Sequence, residues 1–341
     1  MTNKLPLVSV IMPVYNSSSY INKSIESILQ QTYLNFELLI YDDNSTDGTL
    51  DIIRAYKDKR IIIFRKEHNT GYTESLRRGI SAAKGKYIAR MDSDDISFLT
   101  RFARQVDFLE DNPEYGIVGT QLRTIEESNE GQIWTYPLHN EDIKLHLLVD
   151  SPFAHPSVMI RKEVLEKNNL NYETKYEPCE DYKLWVDLLS FTKGANLNEV
   201  LVYYRLHDNQ TIKMKRNTLL NNSNLIRHEV IKKIFGTHFT DQELLVHYYF
   251  FNEIGRNNLF TIQDKFRWKK KLLKLFENTF YKSQGRKLVE KYWLFNLRTL
   301  TEYRPLFIKY IFNRFLIQGF SFLESTRFII KCLISYKISK S

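Results

Sequence analysis

Between Val8 and Thr120, short apolar runs alternate with stretches of helical periodicity, and few folds accept that pattern. Val8–Val14 is a β-rich apolar run. After it Ile21, Ile25, Ile28 and Leu29 recur at i, i+4, i+7 and i+8, one face of a helix, with the polar residues Asn16–Ser19 available to cap it. Phe36–Tyr41 is a second buried strand. The polar stretch Asp42–Thr49, with its Asp47-Gly48 turn pair, leads to a helix begun by Leu50 and Ile53. Ile61–Phe64, Tyr87–Met91 and Gly116–Thr120 are further strands, separated by helices over Glu74–Ala83 and around Phe102, Val106 and Leu109. Strands alternating with helices in this way predict βαβ units and an α/β fold with a mostly parallel sheet. Ligands of such sheets bind at the carboxyl ends of the strands. Two of those ends are acidic: Asp42-Asp43, and Asp92-Ser93-Asp94-Asp95.

The rest of the chain reads differently. Residues 121–215 mix short strands with one clear helix near Asp181–Phe191, and from about Asn217 the pattern is helical and rich in Phe, Tyr, Lys and Arg. This predicts a catalytic or binding domain over 1–215 and a basic helical region over 216–341. Charge supports the division. Residues 262–341 carry 18 Lys/Arg against 5 Asp/Glu, a net +13, which leaves the first 261 residues at −4. Hydrophobic residues are 43% and charged residues 26%, globular values that argue against disorder. The two cysteines, Cys179 and Cys332, form neither a metal spacing nor a disulfide scaffold, so a reducing cytoplasm is expected. Leu5–Val14 lacks a strongly basic leader and a small-residue cleavage site, and no run reaches the ~18 apolar residues of a membrane span. A soluble or peripheral protein is expected.

Four constellations carry chemistry. Asp92-x-Asp94, followed by Asp95, gathers carboxylates that repel one another, and a Mg²⁺ or Mn²⁺ ion would offset that charge. The alternatives are a solvated acidic loop or a cap for the next helix. Asp42-Asp43 is either a ligand contact, to a base or ribose, or turn chemistry in a Ser/Thr/Asn/Gly-rich loop. Glu180-Asp181 stands before an apolar helical face of Leu184, Trp185 and Leu188. It is either a favourable charge at a helix start or a general base for a hydroxyl. Arg205-x-His207 follows the apolar Val200-Leu201-Val202 and is either structural or turned toward a diphosphate or metal.

Taken together, VSVIMPVYN, YDDNSTDGT, NTGYTESL, GKYIARMDSDD, CEDYKLW and VYYRLHDNQT, in this order between residues 8 and 212, resemble the family 2 glycosyltransferases of the GT-A fold. The resemblance covers about three-fifths of the chain. ARMDSDD, EDYKLW and YRLHDNQT are especially similar to bacterial lipooligosaccharide β-1,3-linking hexose and N-acetylhexosamine transferases. It implies an inverting, metal-dependent transfer of a hexose or N-acetylhexosamine from a UDP-sugar to a glycan hydroxyl, in surface polysaccharide or lipooligosaccharide synthesis. It also implies roles. Pro13, Tyr15, Asn16, Asn69 and Gly71 would line the nucleotide-sugar pocket, Asp43 would contact the uracil or ribose, and Asp92 the ribose and metal region. Asp94 would ligate Mn²⁺ or Mg²⁺. Asp181 would be the base with Glu180 beside it. Arg205 and His207 would face the leaving diphosphate, His207 through the metal. His155, in SPFAHPSVMIRK, is a candidate acceptor contact. Two positions depart from the family pattern: Arg78 replaces its usual Asn, and His155-Pro156-Ser157 replaces a His-Asn-Asn-Thr type sequence.

The basic, aromatic stretch 262–341, including Phe266–Lys271 and Phe307–Phe320, suits either an anionic membrane face carrying lipid-linked acceptors or packing on the core or on a second copy of the chain. The first places the protein at the inner face of the cytoplasmic membrane. Nucleic acid is a poor partner, because the acidic first half would repel phosphate backbones. Two other enzyme classes lack their signatures: no Gly-rich loop with Lys marks a sugar nucleotidyltransferase, and no GxGxxG marks a dehydrogenase. A non-catalytic glycan-binding protein on the same scaffold would not need both Asp94 and Asp181.

Overall fold

The computed structural model describes residues 5–126, 129–207, 215–251, 260 and 262–299. Asp208, Phe307–Phe320 and Cys332, read above from the sequence, lie outside them. The chain divides into two compact units, 1–286 and 287–341. A nine-stranded sheet organises the first.

The strands are β1 (Val8–Val14), β2 (Phe36–Asp42), β3 (Ile61–Arg65), β4 (Tyr87–Arg90), β5 (Ile96–Ser97), β6 (Tyr115–Glu126), β7 (Asn129–Trp134), β8 (Met159–Arg161) and β9 (Lys193–Arg205), in the spatial order β3-β2-β1-β4-β8-β6-β9-β5, with β7 paired to β6. From β3 to β4 every pairing is parallel. β8 then runs antiparallel to both β4 and β6, β6 and β9 are parallel, β5 pairs antiparallel with β9, and β7 pairs antiparallel with β6. The sheet is therefore parallel on the side of the first βαβ units and mixed beyond β4.

β1 and β2 are buried along their whole lengths, as strands covered by helices on both faces must be. The one polar intrusion into β1 is paired. The Ser9 hydroxyl donates to Glu37 Oε1 at 2.6 Å and accepts the Gly85 N–H at 2.8 Å. Helices α1 (Ile21–Leu29), α2 (Thr49–Ala55), α3 (Tyr72–Ala82) and α4 (Arg101–Asp111) are the crossovers. α1 turns Ile21, Ile25 and Ile28 into the core, as their spacing requires. Its cap differs from the expectation. No side chain of Asn16–Ser19 caps it, and the Ser17 carbonyl accepts the Tyr20 and Ile21 N–H groups instead. Asn16, in the left-handed region at φ 48°, reaches across to accept the Thr46 N–H at 2.8 Å.

The longest strands of the sheet are β6, whose first half is the expected strand Gly116–Thr120, and β9; the second half of β6 and all of β9 lie where the sequence reads as irregular. β6 buries Thr120, Gln121 and Thr124, which break the apolar pattern, and each is hydrogen-bonded; Gln121, for example, donates to the Tyr136 and Leu197 carbonyls. Beyond the sheet come α5 (Asn140–His146), α6 (Lys162–Lys167), α7 (Glu180–Leu188), α8 (Arg216–Phe235), α9 (Asp241–Phe251), α10 (Ile262–Glu277) and α11 (Lys282–Thr299). α8 and α9 are fastened to the sheet-bearing part. Buried Arg227 donates to the Val149 carbonyl at 2.9 Å, and the ring of buried His247 pairs with the Leu148 carbonyl at 2.7 Å. Among the described residues no helix is long and apolar enough to cross a membrane.

Candidate active site

At the end of β4 the chain leaves the sheet through Asp92, Ser93, Asp94 and Asp95. Carboxylate oxygens of all three aspartates lie within 4.8 Å of one another. The loop does not cap α4, which starts four residues after β5 with Thr100 as its cap residue. Other residues hold it. The Ser24 hydroxyl of α1 reaches the Ser93 and Asp95 carbonyls at 2.8 and 2.7 Å, and the Ser17 and Ser93 hydroxyls lie 2.7 Å apart. The end of β9 closes the other side. Arg205 donates its N–H to Asp95 Oδ1 at 2.9 Å and its Nε to the Asp94 carbonyl at 2.8 Å. His207 Nε2 lies 2.8 Å from Asp94 Oδ2, and Tyr20 carries both the His207 ring and the Arg205 guanidinium on its face. Arg90 pairs with Asp92.

Burial raises the Asp92 carboxyl, against Arg90, and burial with Asp94 and Asp92 beside it raises Asp95 well above the ordinary range. Asp95 Oδ2 is buried without a hydrogen bond. Burial and mutual repulsion disfavour the charged forms of these carboxylates. Hard carboxylate oxygens with an imidazole alongside fit a small divalent cation such as Mg²⁺ or Mn²⁺.

A second group lies at the ends of β1 and β2. Pro13 is buried within β1, and Tyr15 is exposed just beyond it. Asp43 is buried, and its Oδ1 takes the Thr70 N–H and the ammonium of buried Lys66, both at 2.9 Å. Asp42 Oδ1 accepts the Ser45 N–H, so the turn reading applies to Asp42 and the ion pair to Asp43. Asn69 Oδ1 accepts the Gly71 N–H at 3.1 Å, closing a turn in which Gly71 takes φ 87°. That conformation suits glycine. Lys66 also bonds Thr70 Oγ1 and the Gly71 carbonyl, so Asp43, Asn69 and Gly71 form one polar floor.

The third group is the start of α7. Glu180 and Asp181 occupy its first turn, where the helix dipole favours them. Glu180 is buried; its Oε2 accepts the Tyr72 hydroxyl at 2.8 Å, and its Oε1 is 3.8 Å from His155 Nδ1. His155 Nε2 meets the Tyr172 hydroxyl at 2.9 Å. Burial, then Arg90, pushes His155 well below the usual imidazole range. Asp181 is half-buried, its Oδ1 fixed by the Tyr182 N–H at 2.6 Å. Burial raises Glu180 to about 8, with Asp181 adding to it, and raises Asp181 to about 6 against that backbone bond. Tyr172 joins this group to the first, since its phenol feels Arg90, Asp181, Glu180 and Asp92.

Residues 9–168 match the family described as Glycosyl transferase family 2. An uncharacterized glycosyltransferase of Haemophilus influenzae is 36% identical over 267 residues, which span 73% of this chain and 76% of that protein. The chain belongs to glycosyl transferase family 2. The Escherichia coli protein named UDP-Glc:alpha-D-GlcNAc-diphosphoundecaprenol beta-1,3-glucosyltransferase WfaP is 32% identical over 237 residues, 67% of this chain and 88% of that one. Among solved structures, S. aureus TarS 1–349 in complex with UDP-GlcNAc superposes with a TM-score of 0.58 at 17% identity, covering 84% of this chain and 89% of TarS. The family 2 glycosyltransferase thus has the α/β GT-A fold expected from its motifs.

Within this family 2 chain the structure gathers the motif residues into three adjoining groups: Asp92, Asp94, Arg205 and His207; Pro13, Tyr15, Asn16, Asp43, Asn69 and Gly71; and Glu180, Asp181 and His155. Sequence reasoning missed their partners. Arg90 had a signal, an arginine inside a buried strand (YIAR) that demands an anion. Tyr72, Glu177 and Tyr172 had none. Glu177 Oε2 accepts the Thr73 hydroxyl at 2.7 Å and its Oε1 the Lys215 ammonium at 2.6 Å, tying the start of α3 to the start of α8.

Proposed function

We propose that this glycosyltransferase transfers a hexose or N-acetylhexosamine from a UDP-sugar to a glycan hydroxyl with inversion, aided by Mn²⁺ or Mg²⁺. The observation that carries the reading is the meeting of two acidic centres around Arg90 and Tyr172: a carboxylate cluster suited to a cation, and a half-buried Asp181 whose pKa is raised toward neutrality. Asp94, with Asp92 and His207, would hold the cation, which when bound offsets charge on the departing diphosphate. The polar floor of Asp43, Asn69 and Gly71, with Pro13, Tyr15 and Asn16, would take the nucleotide, and Arg205 would face its phosphates. Asp181 takes the acceptor hydroxyl's proton as that oxygen bonds to the anomeric carbon. The bond from that carbon to the diphosphate breaks, and UDP leaves with its electron pair. Tyr72 and Glu180 keep the helix start in place beside it.

WfaP's name specifies UDP-Glc and a diphosphoundecaprenol-linked acceptor, and TarS was solved with UDP-GlcNAc. Both names carry a UDP-sugar and favour a UDP donor, and WfaP's name alone favours a lipid-linked acceptor, as in bacterial surface polysaccharide synthesis. A catalytic domain over 1–215 and a basic region over 216–341 suit that acceptor, the second resting on the cytoplasmic face of an anionic membrane. Exposed Arg267, Lys270 and Lys274 of α10 favour this.

The test is UDP release from UDP-glucose, UDP-galactose and their N-acetylamino counterparts, with Mn²⁺ or EDTA and with simple glycosides as acceptors. Metal-dependent release from one donor is expected, reduced by roughly 10²-fold or more in Asp94→Ala and in Asp181→Asn. Release that survives both substitutions would refute the assignment.

A further inference from the structure

The protein has four tryptophans. Three are core residues, with Trp185 and Trp293 at 0% exposure and Trp268 at 5%, but Trp134 is 40% exposed. It ends β7, an edge strand whose six residues are all exposed, so packing does not explain an indole there. Its surroundings are specific. Trp134 stands opposite Leu122 of β6, which stands opposite Val202 of β9. Residues opposite one another share a sheet face, and Tyr204, two along from Val202, lies on the same face. There the Trp134 and Tyr204 rings meet at 5.4 Å, and Tyr136 and Tyr204 pack on Leu122, Ala154 and Val202.

This face leads into the site. Ala154 precedes His155, which borders Glu180. The Tyr204 phenol lies in the field of Asp95, Asp92 and Asp94, and that of Tyr136 in the field of Asp150 and Asp181. Trp134 is the exposed outer end of this aromatic row.

We propose that Trp134, backed by Tyr204, is the platform on which a pyranose ring of the acceptor stacks. The chemistry is general. The axial C–H bonds of a pyranose make an apolar, weakly positive face that meets the negative face of an indole, while its hydroxyls remain available to hydrogen-bond. The inference rests on the transferase reading above and assigns the acceptor side of that site.

The experiment compares wild type, Trp134→Ala and Trp134→Phe with the UDP-sugar and glycoside that give turnover. Truncating a stacked tryptophan is expected to raise the glycoside KM about tenfold with a smaller change in kcat, and the phenyl ring to restore most of the loss. UDP release without acceptor, and the KM for the UDP-sugar, should stay as in wild type. Because Trp134 is the exposed tryptophan, the same glycoside should also shield part of the intrinsic fluorescence from acrylamide in wild type and not in Trp134→Phe. An unchanged glycoside KM in Trp134→Ala, with donor turnover intact, overturns the platform and leaves the transferase reading standing. Loss of UDP release in wild type itself would sink both.

Discussion

In the proposed role of base Asp181 has to be charged to accept a proton, and its surroundings resist that charge. Burial lifts its pKa to about 6, while the Tyr182 N–H and Arg90 pull the other way. The protonated fraction therefore grows as pH falls through this value, and the base is lost with it. kcat/KM should rise with pH along an acidic limb with a midpoint near 6 and fall about tenfold per unit well below it. A profile flat across that region would remove Asp181 from the role. Glu180, raised further by deeper burial and by Asp181, is a poor base for the same reaction. Its geometry agrees, since Tyr72 occupies one oxygen and His155 faces the other.

Among the elements, the junction before β4 is closed in by backbone on every near side. A Cβ on Gly85 would sit 2.6 Å from the Leu7 carbonyl oxygen, 2.7 Å from Ser9 N and 2.8 Å from the Tyr87 carbonyl oxygen. Backbone atoms of β1 and β4 cannot step aside as a side chain could. Gly85→Ala should therefore cost about 2–3 kcal/mol in denaturant unfolding, a loss that a stability unchanged from wild type would disprove. The parallel half of the sheet was legible because strands buried on both faces must be continuously apolar, and β1 to β4 fall within one or two residues of where the sequence places them. The second half of β6 and all of β9 were obscured by polar residues whose burial depends on partners far away, as when Asn196 bonds the Pro137 and Pro152 carbonyls. β7 has no apolar period and exists through its pairing with β6. The site divides in the same way. Its carboxylates sit at strand and helix ends that a sequence reveals, whereas Tyr72 meets Glu180 across 108 residues, a distance no local pattern spans.

At the scale of the whole molecule, the polar floor and the carboxylate cluster belong to one unit, so the proposed nucleotide and cation held by both should stabilise it as a whole. UDP with Mn²⁺ should raise the melting temperature by several degrees, corresponding to about 2.7 kcal/mol at roughly 100 times Kd. EDTA should abolish the shift, and a UDP effect indifferent to EDTA would separate nucleotide binding from the cation. The order of strands bears also on how the protein is made. β1 to β4 can assemble as soon as they leave the ribosome, but β4 receives its second neighbour only when Met159–Arg161 arrives, about 70 residues later. At ~5–20 residues per second the edge of β4 stays open for roughly 4–14 seconds of every synthesis. During that interval the nascent chain carries an unpaired strand able to pair with its neighbours on the same message. For the length of synthesis that open edge adds to those of β3 and β7, which the finished sheet keeps.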